Sequence, residues 1–258
     1  MDSCIVIVGG ASGIGEACAR LFAAKGGQVA VVDRDPVQLA RVGVSLNVRT
    51  YQADITQPAS VEAAAEQIER DCGPVSVLVV TAAQVAGVRR AEVLDAEVFG
   101  QSFDVNVTGS FSCCKAFGLR MKSRRRGAII LLGSTSGVKS TPYFAYGSSK
   151  AALISLGQSL AAEWLRFGVR VNIVSPGTTE TPLVKALFDA GTRDRAAVEK
   201  QSGMGRLIQP GEVAAAVEFL ASDAASAISG VNLLVDGGLG VSQTWGSYGG
   251  VPQPAAID

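Results

Sequence analysis

The sequence predicts an α/β fold, a doubly wound parallel sheet of about seven strands with helices on both faces. Three observations carry this reading. Short apolar runs alternate with helical patterns from one end of the chain to the other, the rhythm of β-α-β units. The runs are apolar at consecutive positions, not alternate ones, as strands covered on both faces require. No composition break or internal repeat divides the 258 residues, so a single domain over residues 1–258 is expected.

The elements follow in order. Strands are predicted at residues 4–8, 29–32, 48–52, 75–80, 128–132, 169–174 and 231–235. Between them, helical periodicity predicts helices at 14–25, 36–42, 60–71, 95–122, 145–166 and 212–221. Right-handed crossovers wind such units into a sheet wrapped on both sides. Residues 178–205 break the rhythm; too long for a turn and mixed in character, they read as a substrate lid. The Gly- and Pro-rich tail at 238–258 holds Trp245 and Tyr248, aromatics expected to dock it, on a neighbouring subunit if not on its own chain.

Composition removes several function classes. The 23 basic residues balance 23 acidic ones, leaving no field to draw nucleic acid or an anionic membrane. Histidine is absent, which excludes Ser-His-Asp hydrolysis, His-ligated zinc and imidazole base catalysis. An enzyme built from this chain must move its proton through Tyr, Lys, Cys or a carboxylate. Cys4, Cys18, Cys72, Cys113 and Cys114 show no C-x-x-C spacing, so buried, reduced thiols and no metal site are expected. The N-terminus has no basic lead, its apolar run before Gly9 reads as a strand and not a secretory signal, and no run reaches the ~18 apolar residues of a membrane span. A cytoplasmic protein with a small-molecule substrate is expected. Arg124-Arg125-Arg126 closes the long fourth helix, where cations complement the carbonyl end, and reads as a solvated terminus.

Gly9-Gly10-Ala11-Ser12-Gly13-Ile14-Gly15 follows the first strand and opens the first helix. Glycines there let backbone N-H groups approach a pyrophosphate, and the helix N-terminus favours its charge. Asp33 ends the second strand 20 residues after Gly13, where a carboxylate can accept hydrogen bonds from adenosine ribose hydroxyls. Together these make a Rossmann-type dinucleotide site with Gly9, Ser12, Gly13, Ile14 and Asp33 as candidate contacts. Asp33 repels a 2'-phosphate while Arg34 attracts one. Since no Lys or Arg lies at Ala11 or Ser12 to offset the acid, NAD is the predicted cofactor.

Tyr146 and Lys150 stand four positions apart at the start of a helix, so they share a face. Ser134 closes the fifth strand at the carboxyl edge, where open α/β sheets bind ligands.

With these residues the chain resembles the short-chain dehydrogenase/reductases over nearly its whole length. The matching features are Gly9-x-x-x-Gly13-x-Gly15, Asp54, Asn106 in Asp104-Val105-Asn106-Val107, and Ser134 with Gly137 three residues on. Tyr146-Gly-Ser-Ser-Lys150, Asn172 through Pro176-Gly177, and Val235-Asp236-Gly237-Gly238 complete the set. The resemblance implies that Tyr146 is the general acid/base and Ser134 binds the substrate oxygen. It implies further that Lys150 holds the ribose and lowers the phenol's pKa, and that Asn106 holds a water linking Lys150 to solvent. It also implies cofactor contacts at Asp54, Ile55, Ala82, Ala83, Tyr146, Lys150, Thr179 and Thr181, and a homotetramer or homodimer built on helices 95–122 and 145–166. Two positions depart from the pattern: Val8 stands in place of Thr, and Gln84 in place of a glycine whose backbone freedom glutamine does not share.

Val138, Phe144, Leu183, Val184, Leu187 and Phe188 surround the predicted site in sequence, and Lys139 and Lys185 are its only nearby cations. An apolar pocket without an anion clamp is therefore expected, for a hydrophobic, cyclic secondary alcohol or ketone of terpenoid, steroid or aromatic type. The alternatives are a sugar-alcohol or dihydrodiol dehydrogenase with the same residues, and a non-catalytic dinucleotide-binding protein.

Overall fold

A computed structural model describes residues 4–251; the predicted tail therefore lies partly outside the described residues, at 252–258. Seven parallel strands run in the order β3-β2-β1-β4-β5-β6-β7. They are β1 (Cys4–Val8), β2 (Gln28–Asp33), β3 (Arg49–Gln52), β4 (Val75–Val80), β5 (Gly127–Leu132), β6 (Val169–Pro176) and β7 (Asn232–Val235). In β1, Val6 and Val8 pack on one side of the sheet with Ala65 and Phe117, and Ile7 on the other with Cys18 and Val213. Both faces are thus dry, which is why the strands read as continuous apolar runs.

One face carries α3 (Pro58–Cys72), α5 (Ser110–Arg124) and α6 (Phe144–Trp164); the other carries α1 (Gly13–Ala24), α2 (Pro36–Leu46) and α9 (Pro210–Ala221). The direction of winding reverses between β1 and β4, opening a cleft beyond their carboxyl ends. Gly9 and Ala82 face each other there: the Gly9 and Thr81 N-H groups donate to Val32 and Val8 carbonyls at 2.7 and 2.8 Å.

Three elements differ from expectation. The predicted helix at 95–122 is α4 (Ala96–Phe103), a π turn (Asp104–Gly109) and then α5. The turn inserts an extra residue that shifts the helix register, and the Ser110 hydroxyl satisfies the Asn106 carbonyl at 2.9 Å. Residues 178–205, expected as a lid, contain α7 (Pro182–Asp189) and α8 (Arg195–Gln201). Thr181 and Asp194 cap them by accepting from Val184 N and Ala197 N. The tail forms a short α10 (Leu239–Ser242) and a 3-10 turn, yet Trp245 is half-exposed and Tyr248 is 87% exposed, so these rings do not dock on their own chain.

All five cysteines are buried and unpaired. Arg124, Arg125 and Arg126 are exposed at the end of α5, and Arg124 also pairs with Glu69 at 2.7 Å and donates to the Val75 carbonyl at 3.1 Å, so it ties α5 to α3 and β4. No helix among the described residues is long and apolar enough to cross a membrane.

Arg170 of β6 closes the far end of α9. Its guanidinium donates to the carbonyls of Leu220, Ala221, Ser222 and Ile228 at 2.7 to 3.3 Å, covering acceptors that a helix C-terminus leaves open. Arg170→Met keeps the apolar stem and removes every donor. It is expected to cost about 2 kcal/mol, read as a lower midpoint in urea unfolding; an unchanged midpoint would show that water replaces the guanidinium.

Candidate active site

The carboxyl ends of β1, β2, β4, β5 and β6 open into one cavity of about 950 Å³. Its first part is the glycine loop. Gly9 has φ +76°, and a Cβ there would lie 2.7 Å from Ala82 Cα, so only glycine lets the loop close against the β4 end. Gly13, φ +53°, opens α1 beneath Thr181, whose methyl would sit 3.3 Å from an added Cβ. Ser12, at the helix N-cap, makes no side-chain cap bond.

Asp33 emerges from β2 with its carboxylate already oriented, accepting from Ala11 N and Asp35 N, each at 3.2 Å. Asp54 is turned into its own loop: one oxygen accepts from Thr56 N at 2.9 Å and Thr56 Oγ1 at 2.8 Å. Those bonds hold its carboxyl below the usual range. Ile55, Ala82 and Ala83 line the same wall, with Thr179 and Thr181 opposite.

The second part assembles Ser134, Tyr146 and Lys150. Ser134 follows β5 and starts a 3-10 turn, its Oγ accepting from Ser136 N at 3.1 Å. The Ser134 hydroxyl is also hydrogen-bonded to the Tyr146 phenol. One turn along α6, Lys150 is buried and donates from Nζ to the Leu132 carbonyl at 2.6 Å, 5.7 Å from the Tyr146 ring centre. Burial lowers the Lys150 amine to about 7. Burial also raises the Tyr146 phenol, while the bond from Ser134 pulls it the other way. Without cofactor, then, the enclosure opposes both charges, and the phenol lies higher than Lys150 alone was expected to leave it.

Of the apolar residues expected around the site, Leu183, Val184 and Leu187 line the cavity while Val138, Phe144 and Phe188 do not; of the residues predicted to act in catalysis or to hold the cofactor, Asn106 alone does not line it. Fully buried on the π turn, its amide clamps the Gln84 backbone, accepting from Gln84 N at 2.7 Å and donating to Gln84 O at 3.0 Å. It also donates to Ser149 Oγ at 2.9 Å, and that hydroxyl donates to the Tyr146 carbonyl at 2.8 Å. Asn106 is therefore a positioning residue that links the β4 end to the first turn of α6. Gln84 fits without strain: among the described residues only Asn47 and Arg125 are non-glycines with positive φ.

Sequence reasoning weighed Arg34 beside Asp33 but missed Arg193 and Arg206. Lys139 and Lys185 do not line the cavity; Lys139 donates to the Leu239 and Gly240 carbonyls. Arg34, Arg193 and Arg206 do line it. Ser149, within the Tyr-to-Lys motif, was also passed over; no side-chain pattern marks it.

Comparison with known proteins agrees with this arrangement. A family described as enoyl-(acyl carrier protein) reductase has a model that matches residues 9–240. The chain is 38% identical to the galactitol 2-dehydrogenase (L-tagatose-forming) of Cereibacter sphaeroides, over 92% of this chain and 94% of that protein. It is 37% identical to the 2,3-dihydro-2,3-dihydroxybenzoate dehydrogenase of Bacillus subtilis, over 90% and 94%. A solved Burkholderia thailandensis oxidoreductase of the short-chain dehydrogenase/reductase family superposes with a TM-score of 0.89 at 34% identity, covering 96% of this chain and 97% of that one. Fold, site and likeness over nine-tenths of the length converge: the chain belongs to the short-chain dehydrogenase/reductases and is an oxidoreductase.

Proposed function

We propose that this protein is an NAD-dependent dehydrogenase of secondary alcohols that carry a neighbouring hydroxyl, either sugar alcohols or cyclic dihydrodiols. The observation that carries the reading is the convergence of Ser134, Tyr146 and Lys150 in the cavity that also holds the glycine loop and Asp33. The residues fit a nicotinamide dinucleotide. Gly9, Ser12, Gly13 and Gly15 line the cavity at the N-terminus of α1, where backbone can approach phosphates, and Asp33 stands where ribose hydroxyls donate. Ser12, Ile14, Asp54, Ile55, Ala82, Ala83, Thr179 and Thr181 complete the walls. Bound there, the nicotinamide ring supplies the hydride acceptor or donor.

The chain's own groups handle the proton. In oxidation the Tyr146 phenolate takes the hydroxyl proton as the carbinol hydrogen leaves as hydride, and Ser134 donates to the oxygen that becomes the ketone. In reduction the Tyr146 phenol returns the proton. Lys150, one turn along α6 from Tyr146, would hold the ribose, and its ammonium would stabilise the phenolate by attraction of opposite charges. Asn106 keeps the Gln84 loop and the first turn of α6 in register.

The lining supports a substrate with both faces. Gln84, Ser136, Ser140, Thr141 and Gln201 are polar, and the buried Thr141 hydroxyl has no partner among the described residues. Val85, Leu183, Val184 and Leu187 form an apolar wall. Dehydrogenases of galactitol and of a dihydrodiol among the relatives support the same class. The apolar wall alone favours the second reading, a purely hydrophobic cyclic alcohol. Five unpaired thiols suit the cytoplasm, and exposed Phe111 and Leu119 on α5 suit a homodimer or homotetramer.

Tyr146→Phe is expected to lower kcat of polyol oxidation by about 10³-fold while NADH still quenches or enhances fluorescence at the wild-type concentration. Activity equal to wild type would sink the mechanism, and NADH binding without turnover of any alcohol by wild type would leave a non-catalytic binding protein. NADPH is expected to bind ~10- to 100-fold more weakly than NADH, with Asp33→Ala narrowing the gap by removing the repelling charge; equal affinities in the wild type would reject NAD preference. Lys150 gives a stability signature. Its folded pKa, about 7, lies below the ordinary 10.5, so between these values the unfolded chain holds a proton that the folded one lacks. Stability of the cofactor-free protein should gain from this group as pH rises from 7 to 10. Urea midpoints at pH 7 and 9 should show that gain in wild type and a smaller one in Lys150→Met.

A further inference from the structure

Five cations of the lid and its exit carry the chain over the cavity, and four of their environments are accounted for. Arg195 pairs with Glu180 at 3.0 Å and Glu199 at 2.8 Å. Arg206 makes a two-pronged bridge to Glu212 at 2.7 and 2.9 Å. Lys185 and Lys200 do not line the cavity. Arg193 does, half-buried, between α7 and α8. Its one recorded partner is a neutral oxygen, Thr178 Oγ1 at 2.8 Å, and among the described residues it forms no ion pair. A guanidinium has five N-H donors in a planar fork, so most of its capacity is not used by protein partners among the described residues. Thr178 lies just after Pro176-Gly177 at the end of β6, and Thr181, three residues on, overhangs Gly13 of the glycine loop. Arg193 thereby stands on the stretch of lid that spans the phosphate cradle and the Ser134-Tyr146 end.

We propose that Arg193, held by Thr178, is an anion-binding residue of the lid that receives an oxyanion inside the cavity. The anion has two sources, the cofactor diphosphate or a carboxylate on the substrate, and both offer the paired oxygens that a guanidinium fork matches. The inference rests on the proposed dinucleotide site, and NADH binding by wild type tests that site separately.

The experiment measures equilibrium binding of NADH, ADP-ribose and adenosine to wild type, Arg193→Ala, Arg193→Gln and Arg193→Lys, with thermal melts as the folding control. A diphosphate contact predicts that Arg193→Ala and Arg193→Gln bind NADH and ADP-ribose at least 10-fold more weakly, with adenosine unchanged and Arg193→Lys between. A substrate contact predicts unchanged cofactor binding. It also predicts a KM at least 10-fold higher for polyol acids such as galactonate or threonate, with KM for galactitol and threitol unmoved. Either pattern supports the proposal. Unchanged NADH and ADP-ribose affinities together with unchanged KM values in folded Arg193→Ala and Arg193→Gln overturn it. Failure of wild type to bind NADH removes the dinucleotide site itself.

Discussion

A single buried ammonium organises this molecule. Lys150 Nζ sits against the last carbonyl of β5, at Leu132, and by doing so fixes α6 to the sheet edge at one point. Two residues after Leu132 the chain delivers Ser134, and one turn before Lys150 it delivers Tyr146, so the same contact sets the distance between hydroxyl and phenol. The contact is costly to the charge: burial brings the amine to about 7, and no carboxylate offsets it. Such a penalty is tolerable in a stable sheet of seven strands and is useful where a proton has to change hands near neutral pH.

The strands were legible because parallel strands buried on both faces leave consecutive apolar residues, and all seven are met within one or two residues at each end. That Ser134, Tyr146 and Lys150 meet in one cavity was legible for a related reason: Tyr146 and Lys150 need one helical turn, and Ser134 needs a strand end, both of which are local. The clamp that Asn106 places on Gln84 was not legible. The Asn106 amide acts across 22 positions on a backbone, and a backbone leaves no mark in a sequence. The π turn is hidden likewise, since one added residue in a helical ladder barely disturbs an apolar period. Arg193 was missed because its significance lies in the absence of a carboxylate partner, a property of packing in the lid and not of residue type.

The lid also shows how a polar sequence can become ordered cover. Thr181 and Asp194 start two short helices, and the bridge between Thr179 and Ile208 stitches the lid's beginning to its end. Below it the chain presents apolar side chains from α7 to one wall and hydroxyls from the Ser134 loop to the other. The polyol proposed as substrate would meet apolar surface and hydrogen-bond partners in the same cavity.

The clamp between Asn106 and Gln84 has a consequence for how such a site changes over generations. Asn106 grips only the peptide groups of position 84, so the identity of that side chain is not fixed by the frame that holds it. Substitution there can alter the wall facing the substrate while the tyrosine turn stays where it is. The molecule thus separates a heritable, variable surface from an invariant scaffold at the width of one residue, and a new substrate range can be explored there without first dismantling the catalyst.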